Sequence, residues 1–283
     1  TTEILFLASV RNGRITIWYY FYMRVISGIM KIEWVLFYPY YLAILNIILR
    51  MATSIVIGGT RGMGSVIADH LSDRGDTVYT VSRSSSKREN HIKCDISFNC
   101  KSIIDNIDSI DYLVFSHRYR GSDWNEMFDV TVKGINNVIQ AVSSKLSKAS
   151  SVVIIGSNAG SFILKEQSAA YHTSRSALEG LMRYYAVTYG KKGVRFNNIL
   201  PSTLIKPENI DFFTGENKIR KMIEEITPLH RMGKAEDVAN IVDFLCSSES
   251  SFITGNSFMV DGGLSLVGQE TIARSLLGYD HER

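Results

Sequence analysis

The chain has 283 residues, of which 45% are hydrophobic and 21% are charged, a composition typical of globular proteins that bury a core. Its formal net charge of +3 comes from 31 basic and 28 acidic residues. Residues 1–50 hold five of the bases and two of the acids, so bases and acids are equal in number after residue 50. This neutral body argues against a nucleic-acid partner. The three cysteines are scattered without a CxxC pair, which argues against disulfides or a metal site and favours a reducing cytoplasm.

The first 50 residues differ from the rest, because they hold 11 of the 30 aromatic residues. Residues 34–49 carry no charge over 16 positions, slightly fewer than the roughly 20 that cross a bilayer, and Pro39 and Asn46 weaken the run further. One interpretation is a membrane-associated segment. We favour the other: residues 1–51 are a hydrophobic N-terminal extension outside the fold, and residues 52–283 form the folded domain of a cytoplasmic protein.

From residue 54 onward, short apolar runs alternate with runs of helical periodicity. The apolar runs predict strands at 54–59, 77–82, 112–116, 151–157, 194–200 and 257–263, with another ending at "CDIS" (94–97). The amphipathic runs predict helices at 64–75, 123–146, 168–190 and 236–248. This alternation predicts a single α/β domain with a parallel sheet covered by helices on both faces. Only 202–233 lacks a clear place, and we expect it to be a mobile segment over the substrate.

A glycine-rich turn follows the first predicted strand and opens the first predicted helix. Glycines at such a turn let the backbone bend tightly and approach a pyrophosphate, which the helix N-terminus then stabilises. In this strand–turn–helix context the pattern favours a dinucleotide site over a plain tight turn. The candidate cofactor-binding residues are Gly58, Thr60, Arg61, Gly62, Met63 and Gly64.

The end of the second predicted strand bears on the choice of cofactor. An acidic residue there would bind the ribose 2′-hydroxyl of NAD, but this chain has Arg83, and Arg61 lies within the glycine turn. Guanidinium groups suit a 2′-phosphate, so we predict NADP(H) over NAD(H). The alternative is that both arginines are solvated surface charges. Asp95 ends the next strand and is a candidate to face the adenine.

The motifs together resemble the short-chain dehydrogenase/reductase family over residues 52–265. They are the glycine turn, "CDIS" (94–97), "GSNAG" (156–160), Tyr171 with a cation four residues later, "VRFNNILPS" (194–202), and the block from "RMGKAEDVANIVDFLCS" to "MVDGG" (231–263). The resemblance implies a doubly wound Rossmann-type sheet of about seven strands. It also implies hydride transfer between NAD(P) and a carbonyl or secondary alcohol substrate, in a protein that is often a homodimer or homotetramer.

The family's catalytic residues map onto this chain one by one. Tyr171 takes the place of the general acid/base and Ser157 that of the hydroxyl which binds the carbonyl oxygen. Arg175 stands where the family has a lysine that lowers the pKa of the tyrosine and holds the nicotinamide ribose, and Thr131 stands where it has an asparagine. Pro201 matches a proline of the cofactor site. A phenol with a pKa near 10 needs such a cation to exchange protons near neutral pH.

Two departures leave alternatives open. Arginine keeps the lysine's charge but does not release a proton, and threonine has no amide. An active NADP-dependent oxidoreductase is favoured, and a catalytically impaired relative that binds NADP(H) as a sensor, scaffold or oligomer subunit is the alternative. The loop 115–121, "FSHRYRG", adds His117, Arg118 and Arg120 near the expected cleft. These cations suit either an anionic substrate or a solvated loop, and we favour the solvated loop.

Overall fold

In the computed structural model the chain forms two compact units, Thr1–Arg50 and Met51–Arg283. The structure describes residues 8–11, 14–17, 24–26, 29–31, 51–98, 100–105 and 107–279. In the first unit, β1 (Ala8–Arg11) pairs with β2 (Arg14–Ile17), and β3 (Arg24–Ile26) pairs with β4 (Ile29–Lys31), each pair antiparallel. The uncharged run 34–49 lies outside the described residues, so its interpretation stays a prediction. Within the described part of the chain, no helix is long and apolar enough to span a membrane.

The second unit is built on a seven-stranded sheet whose strands all run parallel. Its spatial order is β13-β10-β9-β8-β5-β6-β7, so the chain reverses direction across the sheet after its first three strands. The strands are β5 (Thr53–Ile57), β6 (Thr77–Ser82), β7 (His91–Lys93), β8 (Ile110–Phe115), β9 (Leu146–Ile155), β10 (Arg195–Pro201) and β13 (Ser257–Val260).

Helices connect the strands, and two further short strands pair outside the main sheet. The helices are α1 (Gly62–Asp73), α2 (Trp124–Phe128), α3 (Gly134–Val142), α4 (Ala169–Gly190), α5 (Ile210–Phe213), α6 (Lys218–Ile226), α7 (Ala235–Leu245) and α8 (Gln269–Leu276). The short strands are β11 (Leu204–Ile205) and β12 (Gly233–Lys234).

The central strands are apolar throughout because both of their faces are covered. In β5, Ile55 and Ile57 belong to the hydrophobic cluster that contains residues of α3 and α4, whereas Val56 belongs to the cluster that contains residues of α1 and α7. Successive side chains of a strand point to opposite faces, so only a run without polar residues fills both clusters. The predicted doubly wound α/β fold is therefore confirmed.

Three details differ from the sequence prediction. The helix predicted at 123–146 ends at Val142 and is interrupted by a wide π-helical turn, Asp129–Lys133, in which the Gly134 N–H donates to the carbonyl five residues back. The strand predicted from residue 151 begins at Leu146. The unassigned segment 202–233 contains β11, α5, α6 and β12. These features depend on packing between distant segments, which periodicity does not report.

Candidate active site

The glycine turn is held by close backbone packing at the carboxyl end of β5. Gly58 has φ of +80°, in the region that glycine adopts without the penalty a Cβ imposes. A Cβ at Gly64 would lie 2.2 Å from the Gly58 carbonyl oxygen, so only glycine lets α1 begin this close to the turn. The N-terminus of α1, whose first backbone N–H groups have no partner within the helix, consequently lies directly after the turn, as an anion site requires.

The residues predicted to discriminate between NADP and NAD lie around this turn. Arg61 and Arg83 are exposed, and neither forms an ion pair with any residue that the structure describes. Asp95 is half-buried and accepts hydrogen bonds from the Ser97 N–H and hydroxyl, at 3.0 and 2.8 Å. The two guanidinium groups are thus available to a ligand, whereas the Asp95 carboxylate already stabilises the turn after β7.

Next to the turn, a cleft opens at the carboxyl ends of β8, β9 and β10. Ligands of open parallel sheets bind at this edge, where the strand order reverses. The cleft brings together several residues predicted from the sequence with others that were not: Met63, Ser116, His117, Arg118, Ile155, Gly156, Ser157, Tyr171, Arg175, Pro201, Ser202, Leu204 and Lys206.

The N-terminus of α4 is tied to the loop that carries Ser157, which fixes the position of Tyr171 relative to that serine. His172 Nδ1 contacts the Ala159 carbonyl oxygen at 2.8 Å, and its Nε2 contacts the Leu164 backbone. The Ser176 hydroxyl donates to the Gly160 carbonyl oxygen at 2.7 Å. Ser168 caps the helix by accepting from the Tyr171 N–H. The helix and the loop consequently form one rigid support.

Two guanidinium groups lie close to the Tyr171 ring. The guanidinium carbon of Arg175 is 4.9 Å from the centroid of the tyrosine ring, and that of Arg118 is 5.6 Å from it. Burial by itself raises the pKa of Tyr171, but the Arg175 charge, a hydrogen bond with Ser157 and the Arg118 charge outweigh burial, so the pKa is lowered. The surroundings therefore favour the tyrosinate, the form that accepts a proton.

Arg175 is almost fully buried, at 4% exposure. Burial and the nearby Arg118 charge lower its pKa, while Tyr171 acts in the opposite direction. Its Nε is a buried donor without a hydrogen-bond partner among the described residues. Such a group costs free energy unless an acceptor occupies the cleft, so the site has a place for a ligand hydroxyl or oxyanion beside Tyr171.

The wide turn of the 124–142 helical segment carries Thr131 and is bonded by His117. His117 Nε2 lies 3.0 Å from the Val130 carbonyl oxygen and therefore donates to it, which leaves Nδ1 as a buried acceptor without a partner in the described structure. Burial and the Arg175 charge lower the pKa of His117 to about 4, so the ring is neutral at neutral pH. Thr131 is buried, does not line the cleft, and its hydroxyl contacts Met127 Sδ at 3.8 Å.

The sequence reasoning missed Lys206 and Glu208. Lys206 follows β11 and lines the cleft. A Cβ at Gly62 would lie 2.5 Å from Glu208 Oε2, so this carboxylate rests against the start of α1, and Arg120 Nη2 is 3.7 Å from its other oxygen. No local pattern in 202–233 indicated that these residues return to the glycine turn. Both residues follow β11, which pairs with β12.

Comparisons with known proteins agree with this architecture. A family model described as enoyl-(acyl carrier protein) reductase matches residues 88–265. A tropinone reductase homologue of Arabidopsis thaliana is 27% identical over 76% of this chain and 91% of its own length. The rat dehydrogenase/reductase SDR family member 4 is 36% identical over half of each chain. The ligand-free structure of Thermoplasma acidophilum aldohexose dehydrogenase is 29% identical, with a TM-score of 0.69 over 78% of this chain and 96% of that one. The chain belongs to the short-chain dehydrogenase/reductase family, whose members are oxidoreductases that bind NAD(P).

Proposed function

We propose that this protein is an NADP(H)-dependent oxidoreductase that interconverts a carbonyl compound and a secondary alcohol. The observation that carries the proposal is the convergence of Ser157, Tyr171 and Arg175 in one cleft beside the glycine turn. A serine hydroxyl, a phenol with a lowered pKa and a fixed positive charge are what proton exchange with a substrate oxygen requires.

The residues present fit a bound dinucleotide. The backbone of 58–64 and the N-terminus of α1 would hold the diphosphate, and Arg175 and Pro201 would contact the nicotinamide end. The unpartnered Arg175 Nε and His117 Nδ1 are a donor and an acceptor suited to hydroxyl groups. When bound, NADPH supplies the hydride that reduces the carbonyl carbon.

The chain's own residues would manage the proton. In reduction, the Ser157 hydroxyl would bind the carbonyl oxygen and Tyr171 would donate a proton to it. Ketone, NADPH and one proton become alcohol and NADP⁺. In oxidation, the Tyr171 phenolate removes the hydroxyl proton of the alcohol. Arg175 contributes charge alone, because a guanidinium does not exchange protons at neutral pH, so the proton leaves Tyr171 through cleft water or a ligand hydroxyl.

Reduction of a broad panel of ketones with NADPH tests the proposal. Tyr171→Phe removes the acid and should abolish turnover while NADPH still binds. Tyr184→Phe is the matched control, because it removes a hydroxyl from an exposed tyrosine of the same helix. Equal loss in both variants, or turnover that survives Tyr171→Phe, would contradict the assignment.

Preference for NADP(H) over NAD(H) rests on Arg61 and Arg83, two exposed guanidinium groups beside the turn. Arg83→Asp should weaken NADPH binding and favour NADH, because a carboxylate repels the 2′-phosphate and accepts from a 2′-hydroxyl. Lys87→Asp, on the same exposed loop, makes the same charge change as a control. A similar reversal of the cofactor preference in both variants would mean that the general charge of this loop, rather than Arg83 itself, decides that preference.

Arg175 also supports the second candidate function, that of a catalytically impaired protein that binds NADP(H). The family's lysine can pass a proton onward and arginine cannot, and the Thr131 hydroxyl faces Met127 rather than the cleft. Arg175→Lys separates the two. Gained activity would show that arginine limits catalysis, and lost activity would show that the site is built around it. If the wild-type protein and Arg175→Lys both bind NADPH without turnover, the second candidate, the impaired protein, is favoured.

We further propose a cytoplasmic homo-oligomer, a dimer or tetramer. Val187 on α4 is 82% exposed and Phe252 is fully exposed in the single chain. Large exposed apolar side chains suit an interface. Light scattering at several concentrations tests the assembly, and a monomer at all of them would refute it.

A further inference from the structure

The cleft carries more positive charge than the reaction needs. Arg118, Arg175 and Lys206 line it, and no Asp or Glu lines it among the residues that the structure describes. The nearby Glu208 faces Gly62 and Arg120, so it offsets a different cation. The charges that act on Tyr171 are both positive. A cleft lined by one sign of charge concentrates ligands of the other sign.

The three cations have different surroundings. Arg175 is buried beside Tyr171 and occupies the position that would contact the nicotinamide ribose. Arg118 is exposed and Lys206 is half-buried. Neither of these two side chains makes a hydrogen bond or ion pair with the part of the chain that the structure describes. Both therefore remain available to a ligand that enters from solvent.

The position of Arg118 identifies which ligand it meets. Its guanidinium lies 5.6 Å from the centroid of the Tyr171 ring, and the Tyr171 hydroxyl is the group that would contact the reacting oxygen of the substrate. The phosphates of a dinucleotide bind at the N-terminus of α1, whereas the Arg118 guanidinium lies beside the Tyr171 ring. An anion beside Arg118 would consequently belong to the substrate rather than to the cofactor.

We propose that the substrate carries an anionic group, a carboxylate or a phosphate, close to its reacting carbonyl, and that Arg118 binds this group with Lys206. The inference rests on the proposed oxidoreductase activity and defines its substrate class. A guanidinium presents paired N–H donors that match either oxyanion. The sequence alone favoured solvated loop charges here, and the position of Arg118 over Tyr171 reverses that preference.

Two matched substrate pairs test the inference with NADPH: 3-oxobutanoate against its ethyl ester, and dihydroxyacetone phosphate against dihydroxyacetone. The wild-type protein should favour the anionic member of at least one pair in kcat/KM, and the pair that responds identifies carboxylate or phosphate. Arg118→Gln should reduce that preference roughly 10- to 100-fold, mainly through KM, which is the range for a hydrogen bond to a charged group.

Arg118→Lys should retain part of the preference, because the charge remains. Arg120→Gln is the control, since Arg120 is exposed on the same loop and does not line the cleft, and it should leave the preference unchanged. Turnover with no preference for either anion, or a preference that survives Arg118→Gln, would overturn the inference. Weaker NADPH binding in Arg118→Gln with an unaltered preference would also overturn it.

Failure of the proposed activity is distinguishable from failure of this inference. If no ketone is reduced, calorimetric titration of the NADP⁺ complex with 3-oxobutanoate and with dihydroxyacetone phosphate replaces the kinetic assay. Binding that is lost in Arg118→Gln and kept in Arg120→Gln would support the anion site in an inactive protein. No binding of either anion to the wild-type complex would refute it.

Discussion

Removing the buried arginine should slow oxidation far more than removing the exposed one. The guanidinium carbon of Arg175 lies 4.9 Å from the Tyr171 ring centroid, and a unit charge at that separation contributes about 3 kcal/mol at an effective dielectric constant of about 20. Arg118, at 5.6 Å, is exposed, and in a medium close to water its charge contributes only about 0.7 kcal/mol. Both charges favour the tyrosinate, which would be the base in the proposed alcohol oxidation.

We therefore expect Arg175→Met to lower NADP⁺-linked oxidation of a neutral alcohol at pH 7 by roughly 100-fold or more, and Arg118→Gln by about threefold. A neutral alcohol is required because an anionic one would add the loss of a binding contact. The assay is kcat at saturating NADP⁺, measured as a function of pH, with circular dichroism as the check on folding.

The pH dependence separates electrostatics from misfolding. In each variant the pKa of Tyr171 rises, so oxidation should recover as the pH approaches and passes that pKa, and the deficit against wild type should narrow. Arg175→Lys keeps the charge and should stay within about tenfold of wild type at pH 7. Equal losses in Arg175→Met and Arg118→Gln, or a deficit that is constant with pH, would refute the reasoning.

Two further predictions concern the glycine turn. Gly64→Ala should destabilise the protein by about 1–3 kcal/mol and abolish NADPH binding, because its Cβ would meet the Gly58 carbonyl oxygen at 2.2 Å. Gly180→Ala, on α4, is the control, because no atom lies within 4 Å of the added Cβ, and it should stabilise the protein by about 0.5–1 kcal/mol. Urea unfolding measures both changes in stability, and a change of the same sign in both variants would contradict the packing argument. Glu208→Gln should tighten NADPH binding severalfold, because it removes a negative charge beside the diphosphate site. Glu236→Gln, on the exposed start of α7, is the control. An equal gain in affinity there would mean that the net charge of the protein, rather than the position of Glu208, controls NADPH binding.

The fold and the pairing of Tyr171 with Arg175 follow from regularities of the sequence. Apolar runs define the strands, because a doubly covered sheet leaves no polar face. A spacing of four residues places Tyr171 and Arg175 on one side of any helix that contains them. Ser157 was assigned from the family resemblance, and it lies at the end of an apolar strand, where a parallel sheet has its ligand-binding edge.

The remaining parts of the candidate site depend on loop conformation. Arg118 lies close to the Tyr171 ring and Lys206 lines the cleft, although no local pattern in the sequence places either residue there. Thr131 was placed in the right helix, but the wide turn at 129–133 directs its hydroxyl to Met127. These features arise from contacts between segments far apart in the chain, and periodicity carries no record of them.

Under the proposed activity, arginine in the lysine position would change which group can carry the proton. A lysine ammonium is a charge and a proton carrier, whereas Arg175 is a charge only. His117 does not replace the proton carrier, because its lowered pKa keeps it neutral and its Nε2 is already bonded to the Val130 carbonyl oxygen. Between neutral pH and the arginine pKa, Tyr171 is then the one group among these three that changes charge. In the proposed reaction Arg175 would therefore supply a constant charge, while Tyr171 alone would carry the proton.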